Sequence, residues 1–157
     1  MIIEIPGYEH ALELSNVALD FNGTIALDGI VPEAVKHLLN CLAETGLNLF
    51  VLTADTRGTV QMACRDLPVE VSTFDGADAG SEKRRIVEKL GAKRTVAFGN
   101  GRNDLEMLAS AALGVAVIGA EGAFGKLLQV ADIVVGDISD GLNLLLDPTR
   151  LIASLRS

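Results

Sequence analysis

The chain has 157 residues, a net charge of −8 and 49% apolar residues before its 16 glycines are counted, which is the length of one domain. The usual apolar share is ~45–50% with glycine included, so the excess points to a sheet covered on both faces. The acidic balance disfavours nucleic acid and anionic membrane, which reward basic patches, but not a small phosphorylated ligand, which answers to local charge.

Residues 1–5 and 11–14 flank Pro6-Gly7 and predict a short hairpin. Glu4, Glu9 and Glu13, with no Lys or Arg in the first fifteen residues, do not make a signal peptide. No apolar run reaches the ~18 residues of a membrane span, so the expected location is cytoplasmic. Residues 16–21 are an apolar strand, Val17-Ala18-Leu19, ending in polar residues. A helix follows over 32–45: Pro32 suits its first turn, Val35, Leu38, Leu39 and Leu42 form one stripe, and Gly46 stops it. Next come a buried strand at 47–52, a helix at 59–67 closed by Pro68, and a short strand at 69–71. A helix at 81–90 ends at Gly91, and a strand occupies 95–98. The rest predicts a helix at 103–112 ended by Gly114, a strand at 115–118, a helix at 122–130, a last strand at 132–135, and short helices near 140–145 and 148–155. Cys41 and Cys64 fall in separate predicted helices without a Cys-x-x-Cys pair and read as reduced, buried structural thiols.

Strands alternating with helices require crossovers and a parallel sheet. The expected fold is α/β: a three-layer, Rossmann-like parallel sheet with helices on both faces, forming a single domain over 1–157. In such sheets ligands bind outside the carboxyl ends of the strands. After the first apolar run comes Asp20-Phe21-Asn22-Gly23-Thr24, after the second Thr53-Ala54-Asp55, and after the fourth Gly99-Asn100-Gly101-Arg102-Asn103-Asp104. Taken singly, each has an innocent account as a turn or a helix cap. Lys83 adds a further element, because Lys83, Val87 and Leu90 share one inward helical stripe. An inward lysine near a strand-end carboxylate would lower that carboxylate's pKa and neutralise a bound phosphoryl group.

Together these segments resemble the four motifs of the haloacid dehalogenase superfamily. Asp20–Thr24 is similar to its Asp-x-Asp-Gly-Thr motif, Leu52-Thr53 to the second motif, Lys83 to the third, and Gly99–Asp104 to Gly-Asp-Gly-x-Asn-Asp. Residues 131–135 are similar to its closing strand. The resemblance spans 17–145 with the order intact, and it implies a magnesium-dependent phosphohydrolase acting through an aspartyl-phosphate on Asp20. Thr53, Ala54, Lys83 and Asn103 would hold the phosphoryl group, and Thr24 would fix the loop. Asp20, the Asn22 backbone carbonyl, Asn100 and Asp104 would hold Mg2+.

Two positions depart from the pattern. Asn22 stands where phosphatases of the superfamily carry the Asp that passes the proton, a role worth about 10²–10⁴-fold, so turnover is expected to be slow. Asn100 also replaces an Asp and offers a neutral oxygen to an ion that prefers charged ones. The same features resemble the phosphorylation domain of P-type transport ATPases. Those pumps, however, carry Lys after the nucleophile, where this chain has Phe21, and they insert a nucleotide-binding domain for which there is no room. The usual cap domain also lacks room, since 25–31 fits only a flap and 67–80 only a strand and a loop. An open site implies a homo-oligomer or a large substrate, with Asp55 and Arg57 as candidate substrate contacts. The alternative functions are a phosphate- and metal-binding regulatory protein without turnover, and a protein-interaction module.

Overall fold

The computed structural model describes residues 1–55 and 57–157. The chain opens with a two-residue hairpin, β1 (Ile2–Ile3) antiparallel to β2 (Leu12–Glu13). It then alternates β3 (Asn16–Asp20), α1 (Glu33–Glu44), β4 (Asn48–Thr53), α2 (Thr59–Cys64), β5 (Val69–Thr73) and α3 (Ala79–Leu90). After these follow β6 (Thr95–Gly99), α4 (Leu105–Ser110), β7 (Leu113–Val117), β8 (Ile133–Val135), α5 (Ile138–Leu146) and α6 (Pro148–Leu155). Strands β3 to β8 form one parallel sheet in the order β5-β4-β3-β6-β7-β8.

Side chains of a strand alternate between faces, and here the two faces differ in bulk. Val17, Leu19, Val96, Phe98, Val115 and Val117 enter a large core with Val35, Leu39 and Leu42 of α1 and Leu142 and Leu145 of α5. Ala18, Ala97 and Ala116 point the other way, against Val87 of α3 and Met107 and Leu108 of α4. The alanine face admits α3 closely, and Lys83 near the start of that helix is fully buried at the sheet. The chain winds outward from β3 to β5, then returns to β6 on the other side of β3. The switch point between β3 and β6 opens a crevice at their carboxyl ends. The hairpin lies at the opposite end, where Ser15 N–H donates to the Arg94 carbonyl (2.9 Å) and Ile3, Ile5, Leu12 and Leu14 join the larger core.

Several expected boundaries move. The helix foreseen at 122–130 is only a 3₁₀ segment, Gly125–Gln129, preceded by Phe124, whose N–H donates to the Asn100 carbonyl (2.8 Å). The helix foreseen at 103–112 divides into a 3₁₀ turn, Arg102–Asp104, and α4; Gly114 does not end it but pairs with Ala97 inside β7. Cys64 is buried as expected, whereas Cys41 is half-buried with its Sγ 3.7 Å from His37 Nε2, one helical turn away. Among the described residues no cap interrupts the sheet: 25–31 is a turn bridged at Leu27 and Ile30, and 67–80 holds β5 and a 3₁₀ turn. Among the described residues no helix is long and apolar enough to cross a membrane.

Candidate active site

At the end of β3 the chain turns sharply after Asp20. The N–H groups of Thr24, Ile25 and Ala26 all converge on the Phe21 carbonyl (3.3, 3.1 and 2.9 Å), and Gly23 N–H donates to the Ala26 carbonyl (2.8 Å). Gly23 has φ +75°, and a Cβ there would lie 2.4 Å from Asn100 Nδ2 and 2.7 Å from Glu121 Oε2. Only glycine fits. The turn leaves the Asn22 backbone carbonyl free of hydrogen bonds among the described residues.

Lys83 reaches across from α3. Its Nζ donates to Asp20 Oδ1 and to Asp104 Oδ1, each at 2.6 Å. The other Asp104 oxygen accepts from the N–H groups of Asn100 (3.0 Å) and Gly101 (2.8 Å). A Cβ on Gly99 would sit 2.4 Å from Asp104 Cγ, so the glycine makes the space this carboxylate occupies. Asp104 is fully buried, with both oxygens engaged. It is therefore not available as the magnesium ligand foreseen for it; it holds Lys83 instead.

Three other segments complete the rim. Thr53 is buried at the end of β4, its hydroxyl accepting from Asp55 N–H (3.2 Å). The Asp55 carboxylate accepts from the Thr59 hydroxyl and the N–H groups of Arg57 and Val60 (2.9 Å each), which together hold it below the usual carboxylate range. Those bonds fix the start of α2, and Asp55 lines the cleft beside it. Arg57 remains exposed on the cleft. The Thr24 hydroxyl bridges Asp20 Oδ2 (3.2 Å) and Asn100 Oδ1 (3.3 Å). Ala54 and Asn103 also line the cleft, Asn103 from an exposed position.

The result is an open cleft of about 670 Å³ that gathers Asp20, Asn22, Thr53, Lys83, Asn100 and Glu121. Burial raises the Asp20 carboxyl to about 6; the negative Asp104 adds to the rise, and Lys83 opposes it. Burial also works against the charge on Lys83, but Asp20 and Asp104 outweigh it and hold the ammonium above the ordinary lysine range. A cationic lysine thus faces the Asp20 carboxylate at the floor of an open pocket. The donors at the mouth are oxygens: the Asp20 carboxylate, the free Asn22 carbonyl and the Asn100 amide oxygen. That set fits Mg2+, which takes one or two carboxylates and completes its shell with phosphate and water. No three His, Cys, Asp or Glu side chains cluster for a metal ion among the described residues.

Glu121 was not foreseen. It follows the apolar run of β7 in Gly119-Ala120-Glu121-Gly122, the same strand-end signal that marks Asp20, Thr53 and Asn100.

A haloacid dehalogenase-like hydrolase family model matches residues 7–112. An uncharacterized protein of Methanocaldococcus jannaschii is 48% identical over 84 residues, covering 49% of this chain and 90% of that protein. A soluble P-type ATPase-like phosphatase of the same organism is 26% identical over 137 residues, covering 85% of this chain, which spans 50% of that relative's length. Among solved structures, the 3-deoxy-D-manno-octulosonate 8-phosphate phosphatase of Moraxella catarrhalis, in complex with magnesium, phosphate and its sugar acid, superposes with a TM-score of 0.71. Its identity is 17%, over 91% of this chain and 94% of that one.

Proposed function

The chain belongs to the haloacid dehalogenase-like hydrolase family, and on that premise we propose that it is a magnesium-dependent phosphohydrolase acting through an aspartyl-phosphate on Asp20. The observation that carries this reading is the buried Lys83, held 2.6 Å from both Asp20 and Asp104 at the floor of the switch-point crevice. That contact keeps Asp20 aligned and supplies a fixed positive charge where phosphoryl oxygens collect. Electrostatic pre-positioning of this kind is the main protein contribution to phosphoryl transfer.

In the first step an Asp20 carboxylate oxygen attacks phosphorus, forming an O–P bond while the bond to the leaving oxygen breaks. The leaving group departs with that electron pair. Thr53, the backbone at Ala54, Lys83 and Asn103 bind the phosphoryl oxygens. In the second step water attacks the aspartyl-phosphate, its O–P bond to Asp20 breaks, and inorganic phosphate leaves with the carboxylate restored. Bound Mg2+ would supply charge neutralisation on the phosphoryl group, held by Asp20, the Asn22 carbonyl and Asn100. The Asn22 side chain cannot pass a proton, so the leaving group takes its proton from water, and turnover is slow except on activated phosphates.

The open cleft fits a small phosphorylated substrate. Ile30, exposed beside Gly29 at the rim, supports a homo-oligomer in which a second copy covers the opening. The test is phosphate release from an aryl phosphate with and without Mg2+. Magnesium-dependent release that disappears in Asp20→Asn supports the reading; release unchanged by that substitution defeats it.

One observation favours a second reading. Asn22 lies exposed at the mouth in the proton-passing position, as expected for a phosphate-binding or regulatory protein that has lost turnover. Calorimetric binding of Mg2+ or phosphate without release would identify that case.

A further inference from the structure

The mouth of the cleft has two amides where two carboxylates would serve magnesium better, and it has one carboxylate that the mechanism above leaves idle. Glu121 lines the cleft and forms no ion pair among the described residues. Its Oε2 and Asn100 Nδ2 lie 2.7 and 2.4 Å from the one point where a Gly23 Cβ would sit, so both side chains border Gly23, next in the chain to Asn22.

The loop bearing Glu121 is not free to wander. Asn100 Nδ2 donates to the Gly122 carbonyl (3.1 Å), and the Asn100 carbonyl accepts from Phe124 N–H (2.8 Å). Both bonds lie just beyond Glu121 in the chain, and both end on Asn100. On the other side of Glu121, a Cβ on Gly119 would stand 3.3 Å from the Gly23 carbonyl, so the loop rests against the Asp20–Thr24 turn. A carboxylate at position 100 has no N–H to give Gly122 and would set two oxygens against each other. The amide at 100 and the carboxylate at 121 are therefore matched: one fastens the loop, the other is presented by it.

We propose that Glu121 supplies the second carboxylate of the divalent-cation site, together with the Asp20 carboxylate and the Asn22 carbonyl, and that Asn100 positions it. The inference rests on the phosphohydrolase reading for the location of the cation. Two carboxylates with backbone oxygen, phosphate and water are an ordinary magnesium shell. Asn100 thereby changes from a weakened ligand into the residue that brings a replacement.

The test is calorimetric titration of Mg2+ into the full chain as wild type, Glu121→Gln, Asn100→Asp and the double variant, with circular dichroism confirming the fold of each. Glu121→Gln is expected to weaken Mg2+ binding about 10-fold or more, a loss typical when a group that supports a metal site is removed. In that background Asn100→Asp restores affinity, because it returns a carboxylate to the same corner, whereas in wild type the same change gives a smaller gain. Wild-type affinity in Glu121→Gln overturns the proposal, as does the absence of Mg2+ binding by wild type. Phosphate release tells this failure from failure of the parent reading. If wild type and Glu121→Gln hydrolyse an aryl phosphate with the same Mg2+ dependence, only the Glu121 assignment falls. If wild type binds Mg2+ through Glu121 yet releases no phosphate, only the hydrolase reading falls.

Discussion

The floor and the mouth of the cleft are built by opposite rules. At the floor, Lys83, Asp20 and Asp104 are buried, charged and mutually paired, and Asp104 has no oxygen left unbonded. At the mouth, Asn22 and Glu121 are exposed, while Asn100 behind them is about as buried as Asp20 and is bonded to Thr24 and Gly122. A buried charge cannot lose its partner without leaving an uncompensated ion, whereas an exposed carboxylate can become an amide at little cost in stability. Of the two departures from the family pattern, the exposed Asn22 falls where stability does not police it, whereas the buried Asn100 is tied into the fold by its own hydrogen bonds. The ion cluster at the floor is held by the stability of the fold, whereas the exposed Asn22 is under no such constraint.

The largest expected effect follows from removing the lysine. Lys83→Met should destabilise the protein by about 3–5 kcal/mol in urea denaturation, since it strands two buried carboxylates. Asn22→Ala should stay within about 0.5 kcal/mol of wild type. Equal losses at both sites would erase the distinction between floor and mouth.

A smaller effect, confined to chemistry, is expected when proton transfer is restored. Asn22→Asp should raise aryl phosphate hydrolysis by at least about tenfold, toward the 10²–10⁴-fold that a general acid/base contributes. Its melting temperature should barely change. No gain in rate would place the limit in cation binding rather than in the missing acid.

The smallest effect concerns pH. In the metal-free protein Asp20 titrates near 6, against an ordinary value of 3.8. Between those values the folded state holds a proton that the unfolded chain has released, so raising the pH favours unfolding through this group. Unfolding free energies measured from pH 4 to 6 should fall less steeply in Asp20→Asn than in wild type. Identical slopes would mean that Asp20 is not desolvated as the structure implies.

Much of this was legible in the sequence because burial leaves a simple signature. The strands β3, β4 and β6 read as unbroken apolar runs since both faces are covered, and Asp20, Thr53 and Asn100 stand where those runs stop. Lys83 could be placed inward from the stripe it shares with Val87. What stayed hidden depends on bonds between distant segments. The loop after β7 is shaped by Asn100, a contact with no local pattern, so the sequence pattern of 122–124 favours a helix that the structure does not form. Asp104 turns inward to Lys83 and two N–H groups; spacing alone cannot distinguish a carboxylate facing the cleft from one facing the chain.

The most direct test of the central claim is to trap the covalent species. Protein mixed with an aryl phosphate and Mg2+, quenched in acid and digested, should yield a phosphoryl group on the peptide that contains Asp20, as read by mass spectrometry, and none in Asp20→Asn. Phosphate release with no phosphoryl group on that peptide, or with one on another residue, would contradict the account.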